Sequence, residues 1–170
     1  MPDWRNGQTL NESAIKYSPN SARANCFYAV SIWENIYQKL PADVSPVRKR
    51  AVLDSMKYYF TKAVRILPSF SAAHRMRAGV AAEYHKMDGN YDALLQVFEE
   101  SSRVGTYQQF VVEYLDFINK RVQTRADAEK LVAYYQKMID FYKKNYPSTG
   151  MAAKYEQYLS TVQTRMATLK

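Results

Sequence analysis

The feature that most constrains the fold is the spacing of apolar residues, which recur every three or four positions through long windows of the chain. Strict alternation, the pattern of a strand with one buried face, is nowhere sustained beyond a few residues. Only 5 glycines and 6 prolines interrupt a composition that is 47% hydrophobic, so the chain has enough apolar surface to fold over most of its length. The sequence therefore predicts an all-α protein, and its 170 residues suffice for one domain or a short stack of repeats.

Helix-capping and helix-breaking residues divide the chain into about eight helices. Asn20 is predicted to cap a helix over 21–40, and Ser45 with Pro46 suits the start of the next. Pro68 ends that helix, because proline has no amide hydrogen and clashes with the carbonyl four residues back. The remaining predicted helices cover residues 4–17, 71–87, 91–105, 106–122, 125–145 and 151–169.

Two further caps support this division. Asn90 precedes one predicted helix, and Thr124 with Asp127 three residues later resembles a capping box at the start of another. The connections between the helices are short, so neighbouring helices are expected to run antiparallel.

One helix carries a recognisable pattern in the stretch "MKYYFTKAVRILPSF". Met56, Phe60, Ala63 and Pro68 resemble the second half of a tetratricopeptide repeat, in which a small residue lets two helices approach and an aromatic ring fills the gap to the next pair. The pattern recurs approximately in "PNSARANCFYAVSIW", "PSFSAAHRMRAGVAAEY" and "GNYDALLQVFEES". The resemblance implies a right-handed solenoid of antiparallel helix pairs.

The repeats are irregular. Pro19 and Pro68 are 49 residues apart, whereas the ordinary period of this repeat is about 34 residues. We therefore predict a single repeat domain over 1–170. Its parts are a leading helix at 1–18, repeats at 19–68 and 69–105, a degenerate third repeat at 106–147 and a capping helix at 148–170.

A second resemblance covers about 25 residues at the N-terminus, "PDWRNGQTLNESAIKYSPNSARAN". Trp4, Leu10 and the run Pro19 to Arg23 resemble the junction after the last membrane span in transmembrane-and-tetratricopeptide-repeat proteins, including bacterial relatives. Those proteins are similar to protein O-mannosyltransferases, with catalysis in the membrane part. The resemblance implies that this chain is the repeat region on the periplasmic side of such a membrane protein. Without it, a cytoplasmic location is expected.

No pattern in the sequence indicates catalysis, a cofactor or a metal. His74 and His85 would lie about 16 Å apart along one helix at about 1.5 Å per residue, which forbids a shared metal ion. The single cysteine, Cys26, excludes an internal disulfide and a cysteine-cluster metal site, and is expected to be a small buried apolar residue. Neighbouring acidic residues such as Glu99 and Glu100 point roughly 100° apart on a helix, so they do not converge on a substrate as a catalytic pair would. We predict a chain that is not itself an enzyme.

The repeat resemblance also implies a binding groove. In such repeats the first helix of each pair lines the concave face, which here implies residues Arg23, Cys26, Val30, Trp33, Glu34, Ala73, Met76, Val80, Glu83 and Tyr84. Cys26 and Val30 stand where carboxylate-clamp repeats need lysine and asparagine, so a clamp of that kind is not expected. The predicted groove combines polar and apolar side chains, which suits a helix or an extended peptide.

The chain has 15 tyrosines. Packing between helices accounts for most of them, and those at the surface suit a peptide or sugar groove, because tyrosine offers apolar area and a hydroxyl at low entropic cost.

The chain is basic, with a formal charge of +8 and a pI near 9.5, but its lysines and arginines are spread along its length. The compact run Arg48, Lys49 and Arg50 is either a solvated face or a contact for anionic lipid head groups or an acidic protein.

These observations predict a non-catalytic scaffold that binds a protein or peptide and forms part of a larger membrane-associated protein. The alternative is a nucleic-acid-binding helical repeat that uses the basic, aromatic-rich surface, although base-reading repeats need a regular period that is absent here. The identity of the ligand and the oligomeric state stay open.

Overall fold

The computed structural model describes residues 7–105 and 109–169, without the side chain of Gln8. These residues form eight α-helices and two short 3-10 helices, with no strand among them. The predicted all-α class and number of helices are therefore confirmed. Trp4, at the predicted start of the first helix, and Thr106, at the predicted start of the sixth, lie outside the described residues.

The helices alternate with short connections along the chain. The α-helices are α1 (Gly7–Tyr17), α2 (Ala22–Asn35), α3 (Pro46–Ile66), α4 (Ser71–Asp88), α5 (Tyr91–Val104), α6 (Gln109–Asn119), α7 (Arg125–Asn145) and α8 (Met151–Met166). The 3-10 helices are Tyr37–Lys39, after α2, and Pro147–Thr149, before α8.

Three of the predicted caps are confirmed. The Ser45 hydroxyl accepts a hydrogen bond from the Arg48 amide at 3.3 Å, and Pro46 takes the first position of α3. The Asn90 side chain accepts from the Ala93 amide at 3.1 Å. The Thr124 hydroxyl accepts from the Asp127 amide at 3.1 Å and donates to the Asp127 carboxylate at 2.7 Å. Each cap satisfies an amide that has no partner within its own helix.

Two predictions for α2 are wrong. Ser21, not Asn20, is the N-cap, because Ser21 has the extended backbone and its hydroxyl accepts from the Ala24 amide at 3.2 Å. The helix also ends at Asn35 and not near residue 40. Ile36 is the C-cap, and its amide donates to the Ile32 carbonyl at 3.0 Å before the chain tightens into the 3-10 turn Tyr37–Lys39.

The last helix is shorter than predicted. It ends at Met166. After the end of the helix, the Thr168 hydroxyl donates a 2.7 Å hydrogen bond to the Arg165 carbonyl, so that a side chain supplies a partner to a carbonyl of the last turn.

The chain divides into two compact units, Met1–Asp88 and Gly89–Lys170. Their boundary falls inside the predicted repeat 69–105, and the proposed repeat boundaries stay a prediction. In the first unit, α2 packs on α1 and α3, and α3 packs on α4. The residues that carried the repeat pattern, Met56, Phe60 and Ala63, are fully buried there. The core of this unit consists of Cys26, Ala29, Ile32, Leu53, Met56, Phe60, Ala63, Ala73 and Val80.

The second unit is built from α5 to α8, and its core is rich in tyrosine. The buried rings are Tyr91, Tyr114, Tyr134, Tyr135, Tyr142, Tyr155 and Tyr158. Internal acceptors are present for three of these hydroxyls: that of Tyr158 donates to the Val112 carbonyl at 3.0 Å, that of Tyr142 to the Ser102 carbonyl at 3.3 Å, and that of Tyr135 to the Asn119 side chain. Burial of an aromatic ring is favourable when its polar tip keeps a hydrogen bond.

Candidate functional site

The first unit carries most of the net charge. Residues 1–88 contain 13 lysines and arginines against 7 acidic residues, whereas residues 89–170 contain 11 against 9. An acidic ligand would therefore be attracted mainly to the first unit.

Surface tyrosines are concentrated in the same unit. All six tyrosines of residues 1–88 are exposed or half-buried, and they are Tyr17, Tyr28, Tyr37, Tyr58, Tyr59 and Tyr84. Among the eight that the structure describes in residues 89–170, only Tyr146 is not buried. The second unit uses its tyrosines as core, and the first unit leaves them accessible.

One part of this surface joins the 3-10 helix after α2 to α4. The Tyr37 hydroxyl donates a 2.5 Å hydrogen bond to the Glu83 carboxylate. The Tyr37 ring stacks on the Trp33 ring, with centroids 4.8 Å apart and planes 17° from parallel. We call these three residues, with Lys49 and Lys86, the Tyr37–Glu83 site.

Glu83 is the centre of the site, and its side chain is 15% exposed. The Lys86 ammonium lies 2.6 Å from one carboxylate oxygen, and that of Lys49 lies 3.6 Å from the other. Burial alone would raise the pKa of Glu83, but the hydrogen bonds from Lys86 and Tyr37 and the charge of Lys49 outweigh it and lower the pKa. Glu83 is therefore a carboxylate at neutral pH.

The pKa of the Tyr37 phenol moves the other way. Burial raises it, and the adjacent Glu83 carboxylate raises it further, because a second negative charge beside Glu83 is unfavourable. Tyr37 thus stays a protonated donor and Glu83 an ionised acceptor around neutral pH, so neither is poised to exchange a proton in a reaction.

Tyr84, the next residue on α4, forms a second cluster with α3. Its hydroxyl donates to the Asp54 carboxylate. The Arg50 guanidinium and the Lys57 ammonium each lie 5.5 Å from the centre of its ring, at a distance typical of cation–π contacts. Burial raises the pKa of Tyr84, and hydrogen bonding to Asp54 raises it further.

Comparison with protein families, curated proteins and solved structures found no match to this chain. Within residues 7–105 and 109–169, no group of three or more histidine, cysteine or acidic side chains is placed to hold a metal ion. No helix of that part of the chain is both long and apolar enough to cross a membrane.

The structure brings together five of the residues that the sequence singled out. Trp33, Glu83 and Tyr84 from the predicted groove lie beside Lys49 and Arg50 from the basic run. Lys49 and Arg50 do not form one basic patch, because adjacent helix positions face different directions: Lys49 reaches Glu83, and Arg50 lies over the Tyr84 ring. Arg48 is exposed.

Three residues of the predicted groove are in the core instead. Cys26 is 2% exposed, Val80 is 3% exposed and Ala73 is fully buried, so they present almost no side chain to a ligand. Burial also raises the pKa of Cys26 to about 11, which keeps the thiol protonated and unreactive at neutral pH.

The other groove residues are spread over the surface of the unit. Val30 and Met76 are half-buried against the core. Glu34 is exposed, and the Arg23 guanidinium lies 5.4 Å from the centre of the exposed Phe27 ring.

Sequence reasoning missed Tyr37, Asp54 and Lys57. Each was detectable from helical spacing: Tyr37 follows Trp33 by four residues, and Asp54 and Lys57 continue the side of α3 that begins at Arg50. The resulting surface is a set of aromatic rings, each held by defined contacts and bordered by cations. Such rings bind ligands at low entropic cost, because they are ordered before binding.

Proposed function

We propose that this chain is a non-catalytic, tetratricopeptide-like repeat scaffold and that residues 1–88 present the surface on which a protein or peptide ligand binds. The observation that carries the proposal is the contrast between the units: the tyrosines of residues 1–88 keep exposed surface, and those of residues 89–170 are almost all buried.

Ion pairs support a repeat arrangement in the second unit. Lys130 pairs with Asp92 at 2.8 Å and Lys137 pairs with Glu99 at 2.7 Å, and both pairs are separated by 38 residues. A constant separation means that α5 and α7 advance in the same direction. Two helices run parallel in this way when the helix between them runs back, as it does in stacked helical hairpins.

Contacts between α7 and α8 support the antiparallel part of that arrangement. Tyr135 packs against Tyr158 with ring centres 5.8 Å apart, and Lys143 pairs with Glu156 at 2.7 Å. The residue number rises along α7 while it falls along α8, which is the register of an antiparallel pair.

The Tyr37–Glu83 site and Tyr84 are the part of the scaffold that we assign to peptide binding. Trp33 and Tyr37 are stacked, and Tyr84 is held by Asp54, so little side-chain freedom remains to be lost when a ligand binds. Half-buried aromatic rings of this kind account for much of the binding energy at protein interfaces.

We further propose that the chain is part of a larger membrane-associated protein and lies on the periplasmic side. The support is the N-terminal resemblance, of which Leu10 and Pro19 to Arg23 are among the described residues. In that setting the catalytic activity would belong to a segment outside this chain, and the repeat unit would supply binding.

The test is a peptide-display selection against the whole chain, followed by fluorescence-polarisation titration of the selected peptide. Trp33→Ala combined with Tyr84→Ala is expected to weaken binding by about tenfold or more, as the loss of interface anchors does. The matched control is Tyr146→Ala, which truncates a half-buried tyrosine of the second unit.

Two results would contradict the proposal: a selection that yields no specific peptide, and equal loss of affinity in the control variant. Because truncation can perturb folding, hydrogen exchange on the unmodified chain provides a second readout. The selected peptide should slow exchange in α2, α3 and α4. Protection confined to residues 89–170 would overturn the assignment.

A further inference from the structure

The side of α3 that faces away from the core carries a row of cations. Lys57, Lys62 and Arg65 lie there with Tyr58 and Thr61, spaced by one, three and four residues so that they share one side of the helix. The buried side of the same helix is formed by Leu53, Met56, Phe60 and Ala63. We call the five polar residues the basic strip.

The cations of the strip have no acidic partner within the described part of the chain. Lys57 contacts the Tyr84 ring, and neither Lys62 nor Arg65 lies within ion-pairing distance of a carboxylate there. The second unit differs, since most of its helix-surface cations are paired. The paired cations are Arg103, Lys120, Arg125, Lys130, Lys137 and Lys143.

The strip borders an open depression of about 460 Å³. Among the residues that the structure describes, Asp54 is the one acidic residue on its lining, and its carboxylate accepts the hydrogen bond from Tyr84. Three ammonium or guanidinium groups, the hydroxyl of Thr61 and that of the 59% exposed Tyr58 therefore remain to meet a ligand. All of them donate hydrogen bonds to anionic oxygen atoms.

We propose that the basic strip binds an acidic peptide segment, and that it adjoins the peptide surface at Trp33, Tyr37 and Tyr84 through the contact of Lys57 with the Tyr84 ring. From Lys57 to Lys62 and from Lys62 to Arg65 the axial steps are about 7.5 and 4.5 Å at about 1.5 Å per residue. Carboxylates on every second residue of an extended peptide repeat about every 6.6 Å, a spacing that long lysine and arginine side chains can follow.

Two observations favour a peptide over other anions. Single-stranded nucleic acid is held by a series of stacked aromatic rings, and the strip offers one exposed ring, Tyr58. The depression is open along the helix, so a small anion would stay largely hydrated in it, whereas an extended segment can contact all three cations at once.

The experiment is a fluorescence-polarisation titration of the whole chain with a labelled peptide of five Glu-Ala repeats. A peptide of five Gln-Ala repeats is the uncharged counterpart. The acidic peptide should bind, its affinity should fall as salt rises, and the uncharged peptide should bind at least about tenfold more weakly. Equal binding of the two peptides would overturn the proposal.

Charge reversal locates the site. Lys57→Glu with Lys62→Glu and Arg65→Glu should reduce affinity for the acidic peptide by about tenfold or more, because glutamate repels the ligand. The helix should be kept, since glutamate is as good a helix former as lysine. The control reverses Lys39, Arg75 and Lys144, three exposed cations elsewhere, with the same change in net charge. It should reduce affinity by no more than about twofold.

Two other results would also overturn the proposal. A control variant that loses as much affinity as the strip variant would show that only net charge matters, and would overturn the proposal. The strip could instead bind a ten-nucleotide oligo-dT, or phosphatidylserine vesicles, more tightly than the acidic peptide. That result would assign a different ligand to the strip and would overturn the proposal too. Because the Glu-Ala probe is distinct from the peptide selected on the Trp33 surface, the two proposals fail separately.

Discussion

The Tyr37 hydroxyl donates a 2.5 Å hydrogen bond to the Glu83 carboxylate, which lies 46 residues further along the chain. The bond joins the 3-10 turn after α2 to the last turns of α4. Trp33 stacks on the Tyr37 ring, and Lys49 and Lys86 pair with the Glu83 carboxylate, so the bond lies within a connected group of contacts on the first unit.

Removal of this hydroxyl should destabilise the first unit. Tyr37→Phe keeps the ring but leaves Glu83 without one of its donors, and a hydrogen bond to a charged group contributes about 1.5–3 kcal/mol. We expect a loss of about 1.5 kcal/mol in the free energy of unfolding by urea. The control, Tyr58→Phe, removes an exposed hydroxyl and should change it by less than about 0.5 kcal/mol. Equal effects of the two changes would contradict the role of the bond.

Stability should also depend on pH through Glu83. Its pKa is lower in the folded chain than the ordinary value of 4.5, so its ionised form stabilises the fold above that pH, and the contribution is lost as pH falls through the folded pKa. The difference in unfolding free energy between the unmodified chain and Glu83→Gln should therefore be constant near neutrality and shrink in acid. Glu34→Gln, at an exposed carboxylate, is the control. A difference that grows in acid would show that the sign is wrong.

Substitution by alanine should change the stability of the chain in opposite directions at two glycines. Gly150 has φ +71°, where a side chain is strained, so Gly150→Ala should cost about 1 kcal/mol. Gly79 lies inside α4, and a Cβ there would meet no atom within 4 Å, so Gly79→Ala should stabilise the chain by about 0.5–1 kcal/mol. Thermal melts would measure both. Stabilisation by Gly150→Ala would mean that the turn before α8 differs from the one described.

The stacking of α5 and α7 can be tested by zero-length carbodiimide cross-linking. This reagent joins carboxylates and ammonium groups that are in direct contact, so mass spectrometry should detect Asp92 linked to Lys130 and Glu99 linked to Lys137. Links from Asp92 to Lys143, near the far end of α7, would show that the two helices run in opposite directions.

The sequence predicted most helix starts because a cap is a local device. Ser45, Asn90 and Thr124 each bond to an amide three residues away, so a short window of sequence contains the information. The start of α2 was mispredicted because Asn20 and Ser21 are both good caps, and the choice between them depends on which residue has the extended backbone.

The contacts of the candidate site could not be predicted in the same way. Tyr37 and Glu83, or Asp54 and Tyr84, are distant in sequence and meet only after the helices have packed. The contacts of the basic run could not be predicted from its sequence either, because Lys49 and Arg50 occupy neighbouring positions that face different aromatic rings. Helical spacing along α3 would have been the better guide.

The central claim is that the Trp33 surface of the first unit binds a peptide, and tryptophan NMR tests it most directly. The chain has two tryptophans, so its indole N–H region contains two signals. Titration with the selected peptide should shift the Trp33 indole signal and backbone signals of α2 and α4, with saturation at the affinity measured by polarisation. An unmoved Trp33 signal at full saturation, with shifts confined to residues 89–170, would contradict the account.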